Sequence, residues 1–144
     1  MTDHIDAHRQ VRPHWISYNF AVLRVVPHVH IGAYVPVGVV LHARTAEFLG
    51  IRVVTDASEL AVLAAGADIA LLARYLQSCR AICEGDMTAG PLGLAPPSER
   101  FHWLTAPRSD VIQSGPVHEG LCKDPLLTLE ELYESVVGRP RHSG

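Results

Sequence analysis

Arg24 is the first residue in this chain whose type and place together raise a question of chemistry. Ile16, Tyr18, Phe20, Val22, Arg24 and Val26 alternate with a second set of residues, so they share one face of an extended segment. If that face is buried, the guanidinium must be paired, because an unpaired buried charge is costly. A structural carboxylate such as Glu99 or Asp124 would do this. So would a ligand anion, since the planar fork offers carboxylate or phosphate two parallel hydrogen bonds. A second group comprises Arg100, Arg108, Ser109, Gln113 and His118 in one loop-rich stretch. Loops on a rigid scaffold often bind ligands, and Arg108 with the Ser109 hydroxyl suits an anion. The same arginines would equally pin a loop to backbone carbonyls.

Histidine and cysteine are the remaining reactive types. His28 and His30 point the same way on an extended segment, and Asp3, His4, Asp6 and His8 crowd the N-terminus. His28 and His30 lack a third ligand, and the N-terminal cluster sits on a chain terminus, so turn histidines and a solvated arm are expected, with no metal and no cofactor. His118 has the chemistry of a general base toward Ser114 or Cys122. Cys79 and Cys83, four apart, fit two small apolar residues facing a core. No nucleophile elbow, phosphate loop, dinucleotide fingerprint, zinc quartet or paired-carboxylate signature occurs, which favours binding over catalysis.

The elements that must position these groups are legible from periodicity. Trp15 to Val26 reads as a strand ending at Pro27, and His28 to Gly32 as its turn. Tyr34 to Ala43 reads as its antiparallel partner, with Pro36 marking an edge, a strand start or a bulge. Phe48 to Thr55 makes a third strand, with Gly50 at a bulge or bend. Ser58 to Ala65 reads as a short helix. Asp68 caps a longer one to Glu84, whose stripe is Ile69, Leu72, Leu76, Cys79, Ile82 and Cys83. Gly85 to Pro97 has loop composition. Ser98 to Leu104 suits a short helix, Val111 to Gln113 a brief strand, and Gly115 to Lys123 a loop. Thr128 and Glu131 fit a capping box for a last helix with Leu129, Leu132, Tyr133, Val136 and Val137 on its inner side. The fold class is therefore α+β, a small antiparallel sheet packed against two main helices. Residues 14–138 form the expected domain, with a polar arm at 1–13 and a polar tail at 139–144.

Two stretches resemble a known family. One runs Tyr18-Asn19-Phe20-Ala21-Val22-Leu23-Arg24-Val25-Val26-Pro27 into Val35-Pro36-Val37-Gly38-Val39-Val40-Leu41. The other runs Glu99-Arg100-Phe101-His102-Trp103-Leu104-Thr105-Ala106-Pro107-Arg108-Ser109, through Val111-Ile112-Gln113-Ser114 and Val117-His118-Glu119-Gly120-Leu121, to Asp124-Pro125. Together they resemble the bacterial domain-of-unknown-function family numbered 3037, its actinobacterial branch in particular. The resemblance implies no set activity. It implies a protein partner, since members are often encoded beside a kinase-like protein of the HipA type. The chain departs from the family pattern at Ala33, where an acidic residue is usual, and at Pro36, where asparagine is usual, which argues against an active site at the hairpin.

Length and composition bound what remains. The 144 residues suffice for one domain with a real core, and 48% are hydrophobic. A formal charge of −3 excludes simple polyelectrolyte binding of nucleic acid, although protonating the nine histidines would reverse its sign. Phe20 to Ala43, the most apolar stretch, is broken by Arg24, Pro27, His28, His30 and Pro36, so no membrane span is expected. Three cysteines and no visible export signal point to the reducing cytoplasm. The expected function is a non-enzymatic binding or partner module. The alternative is an enzyme or sensor for a phosphorylated or carboxylated small ligand.

Overall fold

The computed structural model describes residues 15–25, 34–106 and 112–138. It is an α+β fold built on one antiparallel sheet. Strands β1 (Ile16–Val25), β2 (Val35–Ala43) and β3 (Phe48–Val53) pair in sequence, giving the order β3-β2-β1. The other side of β1 is shared end to end by β4 (Ile112–Ser114) and β5 (His118–Cys122). The helices are α1 (Ala57–Leu63), α2 (Ile69–Glu84), α3 (Pro97–Thr105) and α4 (Pro125–Val136).

The two main helices lie on opposite faces of the sheet. Residues paired across an antiparallel ladder share a face. Gly50 pairs with Leu41 and sits beneath Leu129 of α4, while Arg52 bonds Glu130 of the same helix. That face carries Tyr18, Phe20, Val22 and Arg24 of β1. On the other face His42 stacks on Phe101 of α3, with ring centroids 5.4 Å apart, and α2 packs beside α3. Ala21, Leu23, Val25 and Val40 fill that side of the core. Helices on both faces explain why β2 is buried almost from end to end.

β2 is therefore a central strand, and Pro36 does not mark an edge. The register slips between Leu23, which pairs with Gly38, and Arg24, which pairs with Pro36. The bulge falls beside Pro36, the kind of position at which sheets accept a proline. Gly50, by contrast, lies in an unshifted register. A Cβ there would come within 2.7 Å of the Phe48 ring and 2.9 Å of Leu129, so close packing demands glycine.

The long helix α2 starts and stops as its sequence dictates. Asp68 accepts the Leu71 N–H, and Gly85 closes the helix in the left-handed conformation at φ 70°. Residues 85–97 are more ordered than their composition suggests. Asp86 caps Met87–Leu94, which winds into 3-10 turns against α2. The last helix begins earlier than the capping box at Thr128 implies. The Asp124 carboxylate accepts the N–H groups of Leu126 and Leu127, and Pro125 takes the first helical position, where a missing N–H is harmless.

Residues 118–122, expected as loop, form β5. Their alternation is masked by Gly120, opposite Tyr18. The Tyr18 ring lies over that glycine, where a Cβ would approach the phenol to 2.5 Å. Expectations for residues 1–14, 26–33 and 139–144, including the arm, the His28–Gly32 turn and the tail, lie outside the described residues.

Candidate functional site

Three of the residues marked in the sequence share the α4 face of the sheet, on the half bordered by β4 and β5. Arg24 sits near the end of β1. Its guanidinium carbon lies 4.1 Å from the centroid of the Tyr34 ring, a cation–π distance. Gly115 also borders the group; a Cβ there would make ordinary van der Waals contact with Nε and Cζ at 3.5 Å. The Gly115 N–H donates to the Val22 carbonyl at 2.7 Å, which fixes the corner between β4 and β5. Arg24 thus adjoins both an aromatic face and a backbone turn.

This placement leaves the fork incompletely used. Nε of Arg24 is buried and meets no hydrogen-bond partner among the described residues. Neither Glu99 nor Asp124 forms an ion pair with it: Asp124 is turned to the first turn of α4, and Glu99 stands in the first turn of α3. Gln113 is the direct cross-strand neighbour of Arg24, and its amide is the nearest sequence-marked polar group in the register.

His118 pairs with Phe20, four residues from Arg24 along β1 and so about 13 Å away in backbone terms. It stacks on the Phe20 ring at 5.2 Å and is exposed. Tyr18 continues the row, 6.1 Å from Phe20. The face therefore reads Arg24 and Gln113 at one end, an aromatic floor, and His118 at the other. His118 does not stand beside a nucleophile. The Ser114 hydroxyl donates to the Gly115 carbonyl at 2.8 Å, and Cys122 lies at the far end of β5, paired with Ile16.

Arg100 is held elsewhere. Its Nε donates to the Ala95 carbonyl, and Nη1 donates to the Ile82 and Cys83 carbonyls, the latter at 2.8 Å. These are carbonyls of the last turn of α2 and of the turns that follow it. A cation there satisfies helix-end acceptors and opposes the helix dipole. Arg108 and Ser109 lie outside the described residues, as do His28, His30, Ala33 and the N-terminal Asp and His cluster.

The sheet and helices carry other titratable groups. Burial pushes the thiols of Cys79 and Cys83 up to about 12, so both are held as inert thiols in the α2 core stripe. Burial, with Arg44 nearby, pulls His42 below the usual histidine value. Arg52 donates Nε to both Glu130 oxygens, at 2.8 and 3.1 Å, and lies 4.3 Å from the Tyr133 ring centroid. That cluster escaped the sequence reading, because Arg52 and Glu130 are far apart in the chain and neither belongs to a motif. It ties β3 to α4. Among the described residues no cluster of three His, Cys, Asp or Glu side chains is arranged to hold a metal ion, and no helix is long and apolar enough to cross a membrane.

A groove of about 560 Å³ runs beside α4, bordered by Trp15, Tyr18, Cys122, Lys123, Leu127 and Glu131. Arg24, Gln113 and His118 are not part of its wall.

Comparison with known proteins adds one relationship. The model of the family described as protein of unknown function DUF3037 matches residues 20–137. The chain belongs to that family. The match runs from the middle of β1 to the end of α4 and so includes Arg24, Arg100, Gln113 and His118, together with Arg108 and Ser109. No curated protein and no solved structure matches the chain.

Proposed function

We propose that this domain is a non-enzymatic binding module that works in the bacterial cytoplasm and recognises an anionic group through Arg24. One observation carries the reading: a guanidinium adjoining Tyr34 and Gly115 has a buried Nε without an acceptor among the described residues. A buried Nε without an acceptor leaves the guanidinium charge uncompensated from inside, and because Arg24 as a whole is only half-buried, an anion meeting the rest of the fork offsets that charge. Stacking on Tyr34 holds the plane of the fork, so less rotamer freedom is lost on binding. Gln113 supplies a second donor at the same end of the face, and the Phe20 and Tyr18 rings supply an apolar floor.

Phosphate and carboxylate are the chemical classes that match an arginine fork. The resemblance to proteins encoded beside HipA-type kinases makes a phosphorylated or acidic protein partner the leading source of that anion. A free phosphorylated or carboxylated small ligand is the second reading, since the same fork matches either anion. The sequence carries no catalytic signature, and His118 is stacked on Phe20 rather than hydrogen-bonded to Ser114 or Cys122. These facts weigh for recognition over turnover.

The test separates the readings. Titration of the full chain with inorganic phosphate, with a dicarboxylate and with a phosphorylated HipA-type kinase, read by melting temperature, should raise it for at least one. A rise with the kinase alone supports the partner reading, and a rise with the free anions supports the small-ligand reading. No rise with any of them overturns the proposal.

A further inference from the structure

We propose that Arg24 and the groove beside α4 are the two ends of one binding strip, occupied by an extended segment of a protein partner. The segment carries an anionic side chain for Arg24 and an apolar side chain for the groove. The proposal rests on the anion reading of Arg24 and adds the rest of the partner's chemistry to it.

The strip follows from what α4 leaves uncovered. The helix packs over β2 and β3, and Val39 and Leu41 beneath it are fully buried. On the same face of β1, Tyr18, Phe20, Val22 and Arg24 stay half-buried. Tyr18 borders the groove and lies 6.1 Å from the Phe20 ring, which lies 5.2 Å from His118. An aromatic row thus runs from the groove toward the half of the face that holds Arg24.

The two ends differ in what they offer. Trp15, Leu121 and Leu127 border the groove and are 44%, 50% and 54% exposed. Scattered singly such residues are ordinary; gathered around one groove they mark an interaction surface. Lys123, 5.1 Å from the Trp15 ring centroid, and Glu131 border the same groove with opposite charges, so apolar contact is what remains there. The uncompensated charge is at the other end, on Arg24. Complementarity therefore asks for an anion at one end of the occupant and an apolar side chain at the other.

Length names the occupant. Tyr18 and Arg24 are six residues apart on one strand, about 20 Å. Free phosphate reaches one end only. An extended peptide spans the strip in about six residues, an even number, so both of its anchoring side chains point toward the sheet.

Selection from synthetic peptides tests this. One degenerate library carries a single fixed phosphoserine and a second a single fixed glutamate; each is selected on the immobilised full chain and sequenced. At least one should be retained, with an aromatic or aliphatic residue enriched about six positions from the fixed anion. Leu127→Ser, at an exposed position, should weaken the selected peptide about tenfold while its anion is still required. Circular dichroism checks that each variant is folded. Retention of the anion with no apolar enrichment near that spacing overturns the strip and leaves the Arg24 reading standing. So does Leu127→Ser binding as wild type does. Retention that is equal on Arg24→Met, or of neither library, overturns both.

Discussion

Arg24 and Tyr34 are stacked, guanidinium over ring at 4.1 Å, at the corner where the end of β1 meets the start of β2. The contact joins a charge that a strand interior would ordinarily reject to an aromatic that would ordinarily be buried. Tyr34 stays 45% exposed. The pair explains how an apolar strand tolerates Arg24, and it holds the fork in a fixed plane. It does not satisfy Nε. The account of function rests on that difference between a charge that is placed and a charge that is paired.

Arg100 provides the contrast. Its contacts all go to backbone carbonyls, two in the last turn of α2 and one at Ala95 after the 3-10 segment, so its role is stability. Arg100→Ala should lower unfolding free energy by roughly 1–3 kcal/mol, the range for charged hydrogen bonds of this kind. It should leave phosphate binding unchanged. Denaturant unfolding and titration of the same sample check both halves.

Gly50 reports the packing of α4 on the sheet. Gly50→Ala forces a methyl group to within 2.9 Å of Leu129 and 2.7 Å of the Phe48 ring. Overpacking of this sort costs about 1–3 kcal/mol. The expected outcome is a lower melting temperature, and Leu129→Ala in the same chain should recover part of the loss by making room. An additive double variant would contradict the packing assigned here.

His42 makes stability depend on pH. Burial holds its folded value below the usual 6.5, so the unfolded chain takes up a proton at a pH where the folded chain does not. Stability from this group is intact above that value and is lost as pH falls through it, down to the folded value. Unfolding measured between about pH 8 and about pH 5 should show wild type losing more stability than His42→Leu. Equal losses would mean that the ring is solvated.

Much of this architecture was legible in the chain. Strict alternation along β1, and the Asp68 and Gly85 caps of α2, are local signals that tertiary structure did not override. β5 was hidden because strand character there comes from pairing with β1 and from a glycine that accommodates Tyr18, and neither is local. Pro36 left three readings open, an edge, a strand start or a bulge, and only the partner strand decides among them: it stands near the start of β2, beside a bulge. Of the site, Arg24 could be singled out by its neighbours in sequence. Its separation from Arg100 could not, because which carbonyls an arginine reaches depends on how α2 and α3 pack.

The central claim predicts an unusual variant. Arg24→Met keeps the volume and removes a charge whose Nε has no partner among the described residues, so without ligand it should be as stable as wild type or more so. The decisive measurement is the melting temperature of wild type and Arg24→Met against rising inorganic phosphate at constant ionic strength. The account predicts an equal or higher starting value for the variant, and a phosphate-dependent rise in wild type alone. A variant that melts well below wild type, with both chains indifferent to phosphate, would make Arg24 a structural residue and contradict the account.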